Sequence, residues 1–395
     1  MNTPYTTITT DSLKMVFPQE TQYTKCEIEV RFHKTLRIPD DNKKYSLPPS
    51  LGHFPLHHVD DYAEKLPAEW KSHGGIFLPM FQAEAMWVSF HSKWPFALKI
   101  AAGKINALSG DQWTPELIAS IPSDKTKLLK DLTENKISVV QYAYLLELLE
   151  KKDNSKEQDY VVVPSQPWLD GFNVGKGIIR QFIAVPLESG YTVEEQLTGN
   201  AEHGGLQIMA YPMKKSEYEK LENAEIQAKL KASLANTVLR SARSISNSNS
   251  GFMLTASCGA TAAASEDYAD EGDSMGMGAG GFMKQEIFKD KYGFEVWDQT
   301  QSQKVFVHLL NSLQYENVTG KKITSQLNKK IYSSYGYPWF DFYSEEAALD
   351  GSKKLAKIDS IASLQAKNNE NILGHDQVSM QPHMFGIKTI KNGNW

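Results

Sequence analysis

The sequence predicts an α+β protein dominated by sandwich-like or barrel-like antiparallel β units, with a helical insertion and a long surface helix. Three observations predict this class. Residues 159–212 contain three short runs rich in Val and Ile, separated by Pro, Gly and Asn, which is typical of strands joined by tight turns. The chain has 17 Phe, 17 Tyr and 8 Trp, and such side chains favour pleated surfaces. Residues 214–245 lack Gly and Pro and repeat apolar residues at helical spacing.

The first part of the chain predicts an N-terminal β-rich unit over residues 1–112. Residues 26–38 alternate, with Cys26, Ile28 and Val30 on one face and charged residues on the other, so they predict a half-buried strand. Further strands are predicted at 75–81, 84–91 and 96–108.

Residues 113–155 predict a helical insertion, because Thr114-Pro115-Glu116 combines a cap residue, a Pro at the first helical position and an early acid. A second β-rich unit follows over 156–318. It includes the long helix 214–245 and a loop at 246–281 that is rich in Gly, Ser and Ala. Residues 319–395 predict a mixed helical and aromatic tail.

Composition and charge exclude several classes of protein. The net charge is −5 and no basic stripe is visible, so we expect no nucleic-acid partner. No apolar run approaches the roughly 20 residues that a membrane-spanning helix needs, and the N-terminus lacks the pattern of a signal peptide. Cys26 and Cys258 predict two free thiols in a reducing compartment, with one long-range disulfide as the alternative. These features predict a cytoplasmic protein.

A histidine-rich segment at residues 53–61 is one candidate site. In an extended chain His53 and His57 project to one side, and with the carboxylate of Asp60 they form a possible site for zinc or iron. The alternative is a polar loop packed against the first β unit. Three further histidines are candidates to complete a metal site: His33, His73 and His91.

A second candidate is a pocket for a small polar ligand. Arg180 and Glu195 are predicted to clamp the ligand beside Trp168, with Asp170 nearby. The alternative is a set of cross-strand ion pairs on an exposed sheet face.

Two segments imitate nucleotide-binding motifs. Residues 276–281 match G-x-G-x-x-G, but an acidic stretch precedes them and a strand-like run follows, so close backbone packing or a flexible loop explains them better. Residues 170–177 depart from a phosphate-binding loop at both ends and instead predict a hairpin turn.

Several segments between about residue 30 and residue 343 resemble a family of uncharacterised bacterial and fungal proteins. The segments that carry the resemblance include HGGIFLPMFQAEAMWVSF, QDYVVVPSQPWLDGF, RQFIAVPLESGYTVEEQLTG and MGMGAGGFMKQEI. The resemblance implies no activity, cofactor or catalytic residue.

Two classes of function follow from these observations. The first is a structural or binding protein that acts through self-assembly or partner contacts as a homo-oligomer, since HExxH, GxSxG and cysteine-nucleophile patterns are missing from the sequence. The alternative is a metal-dependent enzyme or small-ligand-binding protein that uses His53, His57 and Asp60, or the pocket near Trp168.

Overall fold

The computed structural model gives the fold over most of the chain. It describes residues 3–38, 40, 43–117, 125–134, 137–140, 142–143, 146, 158–175, 177–200, 202–242, 274–321, 354–361 and 363–364. The chain divides into two compact units. One comprises Met1–Lys215 and Gly272–Trp395, and the other comprises Ser216–Glu271.

The first unit is built on a single sheet, to which sixteen strands of the described residues belong. The strands are β1 (Tyr5–Ile8), β2 (Leu13–Glu20), β3 (Lys25–Thr35), β4 (Lys44–Tyr45), β5 (His57–His58), β6 (Ile76–Met80), β7 (Ala85–His91), β8 (Phe96–Ala102), β9 (Ile105–Asn106), β10 (Val161–Val163), β11 (Trp168–Leu169), β12 (Gly171–Gly175), β13 (Ile178–Pro186), β14 (Leu206–Pro212), β15 (Ser274–Lys284) and β16 (Gln303–Asn311). The α-helices are α1 (Ala68–His73), α2 (Lys125–Thr133), α3 (Val193–Thr198), α4 (Lys215–Ala242) and α5 (Ser312–Thr319), and short 3-10 helices cover Val59–Tyr62, Phe294–Val296 and Leu355–Lys357. The predicted β-dominated α+β class is confirmed.

The main path through the sheet runs β1-β2-β3-β7-β13-β15-β16-β14-β8-β10. Neighbouring strands on this path are antiparallel, while β4 and β6 add parallel pairs with β15 and β16. β7 and β8 are consecutive in the chain, yet β13, β15, β16 and β14 lie between them. The strands of the two predicted β-rich units therefore share one sheet.

The sheet forks at β13 and at β7. β15 pairs with β13 along its whole length, so β12 and β7 share the opposite edge: β12 pairs with 178–181 and β7 with 182–183. In the same way, β3 takes one edge of β7, while β13 and β11 share the other. The forks place β11 next to the middle of β7.

Four buried glutamines satisfy backbone groups near these forks. Gln181 donates to Leu36 O (2.8 Å) and accepts from Ile38 N (3.0 Å). Gln285 donates to Trp168 O and accepts from Asp170 N, both at 3.0 Å. Gln158 and Gln166 make equivalent pairs of bonds with the segments 160–168 and 288–290. Because a side-chain amide carries both N–H donors and a carbonyl acceptor, it can replace the backbone groups of a strand partner where the ladder is interrupted.

The core lies on one face of β3, as the sequence predicts. Cys26, Ile28, Val30 and Phe32 are all fully buried, and the buried Val88 on β7 lies opposite Phe32. Burial raises the pKa of the Cys26 thiol, with smaller contributions from two carboxylates, so this free thiol is unreactive. Cys258 lies outside the described residues.

The predicted loop 246–281 is wrong over residues 274–281, which belong to β15. The glycines there let neighbouring groups approach closely. A Cβ at Gly278 would lie 2.9 Å from the side chain of Ile361, and one at Gly280 would lie 2.8 Å from Ile183. A glycine-rich sequence is typical of a loop, but here the glycines are required because larger side chains would not fit into this tightly packed strand.

The predicted helices have mixed outcomes. α2 lies within the predicted insertion 113–155, and α4 covers most of the predicted helix 214–245. Of the predicted mixed helical and aromatic tail 319–395, only residues 319–321, 354–361 and 363–364 are described. Within α4, ion pairs join Lys220 to Glu217 and Lys229 to Glu225. Over the described part of the chain, no helix is both long enough and apolar enough to cross a membrane.

Two glycines of β12 give a matched test of the register between β12 and β13. A Cβ at Gly171 would lie 1.8 Å from Arg180 O, whereas a Cβ at Gly175 would meet no atom within 4 Å. We expect Gly171→Ala to lower the free energy of unfolding by at least ~2 kcal/mol, because a backbone oxygen must move. Gly175→Ala should change it by no more than about 0.5–1 kcal/mol. Urea denaturation measures both, and equal stability of the two variants would contradict the β12–β13 pairing.

Candidate functional site

A polar and aromatic face of the sheet lies opposite the buried face of β3 and β7. The antiparallel register places His33 across from Trp87, Arg31 across from Ser89, and Trp168 of β11 across from Ser89 on its other side. Directly paired residues point to the same face of an antiparallel sheet. We call this surface the Trp168 face, defined by His33, Ser50, Trp87, Ser89 and Trp168.

His33 is fixed at the centre of the Trp168 face. Its Nε2 lies 2.7 Å from Ser89 Oγ, and its Nδ1 lies 2.8 Å from Ser50 Oγ. The ring stacks on the Trp87 indole with a centroid distance of 3.7 Å and an interplanar angle of 2°. Two hydrogen bonds and one stacking contact therefore determine the orientation of the imidazole.

The hydrogen bonds of Ser50 are compatible with the Nδ1–H tautomer of His33. In that tautomer, His33 Nδ1–H donates to Ser50 Oγ (2.8 Å), and Ser50 Oγ donates to Gly52 O (3.2 Å). His33 Nε2 is then the acceptor, and it faces the Ser89 hydroxyl. Burial lowers the pKa of His33 to about 3, with smaller contributions from His53 and Arg31, so the ring is neutral at physiological pH.

Ser50 reaches His33 because residues 51–54 pair with β3 beyond the end of β2. Leu51 N donates to Lys34 O, and Lys34 N donates to Gly52 O, both at 2.9 Å. The backbone of this segment is therefore held as firmly as a strand. The segment thereby places Ser50 Oγ within hydrogen-bond distance of the His33 imidazole.

The predicted metal ligands have separate partners. His53 Nδ1 lies 2.9 Å from Asp11 Oδ2, and His57 Nε2 lies 2.8 Å from the hydroxyl of Tyr315. Asp60 lies in the 3-10 helix Val59–Tyr62. Among the described residues, no three His, Cys, Asp or Glu side chains are grouped so that they could hold a metal ion. The structure does not bring the three predicted ligands together.

Of the four predicted ligand-binding residues, the structure brings two together. Trp168 Nε1 donates to Asp170 Oδ2 at 3.2 Å, and Gln285 binds the backbone of both residues. Asp170 is fully buried, and its Oδ1 makes no hydrogen bond within the described residues. Burial raises the pKa of Asp170 well above its usual value, and the bond from Trp168 offsets this only in part.

Arg180 and Glu195 lie elsewhere. Ile179 of β13 packs in one cluster with Trp168 and Trp87, so Arg180, the next residue on the strand, points to the opposite face. There Arg180 donates to Gly280 O (2.9 Å) and lies over the Phe282 ring.

Glu195 belongs to helix α3, which the sequence analysis missed. Thr192 and Glu195 form a capping box: Glu195 N donates to Thr192 Oγ1 (3.0 Å) and Thr192 N donates to Glu195 Oε2 (2.9 Å). The signal was present as T-x-x-E before an apolar residue. The predicted clamp between Arg180 and Glu195 is not formed.

A second histidine cluster lies at α1 and β16. The ring of His73 lies 5.8 Å from that of His203 and 6.2 Å from that of His308. His308 Nε2–H donates to Gly74 O (3.0 Å), since a carbonyl oxygen only accepts, and the His308 ring stacks on Trp70. Burial lowers the pKa of His308 to about 3 and that of His203 to about 4. These rings are packed groups, in keeping with the lack of a metal-holding group among the described residues.

Comparisons with known proteins provide no functional assignment for the chain. No protein-family model matches the chain, and no curated protein or solved structure matches it. The resemblance to uncharacterised microbial proteins therefore stays a prediction.

Substitution of Asp170 tests whether this carboxyl is protonated. A folded-state pKa raised above the unfolded value gives stability at low pH that is lost as the pH rises through the folded pKa. We expect Asp170→Asn, which does not titrate, to gain stability relative to wild type above pH ~4, by up to about 1.4 kcal/mol per pH unit. Urea denaturation between about pH 4.5 and pH 8 measures the difference, with the exposed Glu64→Gln as control. A pH-independent difference between Asp170→Asn and wild type would show that Asp170 is ionised in the folded protein.

Proposed function

We propose that the chain binds a small, flat organic ligand on the Trp168 face. The observation that carries this proposal is the placement of two half-buried indoles, Trp87 and Trp168, beside the Ser89–His33 pair. Partly exposed indoles offer apolar area for stacking, and the polar pair between them offers directional hydrogen bonds.

The charges around the Trp168 face favour a ligand without net charge. The guanidinium of Arg31 binds Glu29 Oε1 through Nε (3.0 Å) and Nη2 (2.8 Å), and His53 is paired with Asp11. Opposite charges therefore offset one another within the surface. An aromatic compound that carries a carbonyl group fits this chemistry, because its ring stacks on indole and its oxygen accepts a hydrogen bond.

The buried layer behind the face supports the position of Trp168. The bond from its indole N–H to Asp170 and the bonds from Gln166 and Gln285 to its carbonyl hold both ends of the residue. A binding side chain held in this way loses little conformational entropy when a ligand binds.

Self-assembly as a homo-oligomer and a cytoplasmic location stay predictions. The Gly-rich run at 275–281 of β15 is not a free surface for assembly: these residues are buried, and β13 and β16 pair with opposite sides of this strand near Met275. The Gly/Met/Ala run serves the interior of the sheet. Light scattering of the purified full chain measures the oligomeric state.

Ligand binding can be tested with simple probes. We expect benzamide and acetanilide to give saturation-transfer NMR signals with the full chain, and Trp168→Ala to weaken their binding about tenfold or more. Tyr23→Ala removes an aromatic ring that is 66% exposed elsewhere and should leave binding unchanged. Equal binding by wild type and Trp168→Ala, or no signal with wild type, would overturn the proposal.

A further inference from the structure

We propose that Ser89 is a nucleophile for acyl transfer, with His33 as its general base and carboxylic esters of phenols as the substrate class. This inference rests on the proposed ligand site, since the indoles would hold the aromatic leaving group. It gives a chemical role to the Ser89 hydroxyl, which lies within hydrogen-bond distance of His33 Nε2.

The arrangement has the geometry of a nucleophile, a base and an orienting group. Ser89 Oγ lies 2.7 Å from His33 Nε2, within the range needed for proton transfer. Ser50 Oγ lies 2.8 Å from His33 Nδ1, and in the Nδ1–H tautomer it accepts from this nitrogen and leaves Nε2 as the acceptor towards Ser89. Ser50 thus occupies the place that a carboxylate takes in a Ser-His-Asp triad, and the generalised triad depends on such roles.

Stacking on Trp87 restricts the imidazole further. The ring planes of His33 and Trp87 differ by only 2°, and His53 contacts the imidazole edge-on with a centroid distance of 4.5 Å. Rotation of the His33 ring out of line with Ser89 would break the stack and both hydrogen bonds. The base is therefore preorganised before any ligand binds.

Arg31 supplies positive charge for the oxyanion. It is the direct cross-strand neighbour of Ser89, and side chains in such pairs have Cβ atoms roughly 4.5–5.5 Å apart. Its bonds to Glu29 use Nε and Nη2, and the side chain is 44% exposed. The ion pair with Glu29 offsets part of this charge, and the remaining positive field of the guanidinium favours the negative charge that develops on a carbonyl oxygen attacked by Ser89.

The step balances within the residues named. Ser89 Oγ attacks the ester carbonyl carbon as its proton passes to His33 Nε2, and the bond from the acyl carbon to the phenolic oxygen breaks. The phenolate takes the proton from Nε2 and leaves as the phenol. The products are an ester of Ser89 and a free phenol, and no oxidant, reductant or metal takes part.

Deacylation should be slower than acylation. The low pKa of His33, about 3, makes the ring a weak base in both steps, but acylation expels a phenolate whereas deacylation must expel the much more basic alkoxide of Ser89. The charged groups around the ring are Arg31, Glu29 and the His53–Asp11 pair. We therefore expect a burst of phenol release and an acyl form that accumulates.

The experiment uses p-nitrophenyl acetate with the full-length chain. We expect intact-mass spectrometry to show one added acetyl group per chain, and peptide mapping to place it on Ser89. His33→Gln should slow the burst by about 10²- to 10⁴-fold, the range of general-base catalysis. Ser72→Ala, on the exposed surface of α1, should react like wild type.

Ser50 acts as a positioning residue, so its test needs a rescue. Ser50→Ala should slow acylation, and Ser50→Thr, which keeps a hydroxyl, should restore most of the rate. A purely structural role would not follow the hydroxyl in this way.

The outcomes separate the two proposals. Acetyl groups on lysines or other serines but not on Ser89, with benzamide binding intact, would overturn the acyl-transfer inference and leave the ligand site standing. If wild type gives no benzamide signal but is acetylated on Ser89, the proposed ligand site alone would be overturned. Because peptide mapping of wild type gives the first result directly, the test does not depend on the folding of Ser89→Ala.

Discussion

The sheet of this protein depends on buried side-chain amides that satisfy backbone groups where strands change partners. A buried N–H or C=O without a partner costs about 1–3 kcal/mol, so a fork in a sheet is stable only if its loose ends are bonded. Gln181 of β13 supplies such bonds to residues 36 and 38, and Gln285 supplies them to residues 168 and 170. Gln158 and Gln166 do the same for the neighbouring segments. The side chains of these glutamines supply the hydrogen bonds that are missing where the backbone ladder between strands is interrupted.

The Trp168 face follows from the same constraint. The fork at β7 leaves the edge at Val88 and Ser89 open for β11, and β11 brings Trp168 beside Ser89. Gln285 then holds the backbone on both sides of Leu169. Without the fork, another long strand would cover this edge of Ser89. The position that gives the Ser89 hydroxyl its neighbours is thus a product of sheet topology, and the position of His33, diagonal to Ser89, is a product of the register between β3 and β7.

Period-two alternation is a local property, and it predicted both the buried face of β3 and the polar face that carries His33. The pairing of His33 with Ser89 depends on the register between β3 and β7, which single-sequence patterns do not determine. Ser50 is further from prediction, because it lies in an irregular segment between two prolines and a glycine. The Gly-rich run of β15 was misleading for a physical reason: glycine marks flexible loops and crowded strands alike. The structure does not bring His53, His57 and Asp60 together, because His53 is paired with Asp11 and His57 is bonded to Tyr315.

The order of strands in space has a consequence for how the protein is made. β7 leaves the ribosome long before its neighbour β13, and β13 in turn precedes β15 by the whole length of α4 and the segment after it. β6 lies along β16, so an early hydrophobic strand has no parallel partner until residue 311 has been synthesised. Apolar edges therefore stay open during most of translation, when non-native association competes with correct pairing. Nascent chains of this protein should need protection by chaperones until their last strand emerges.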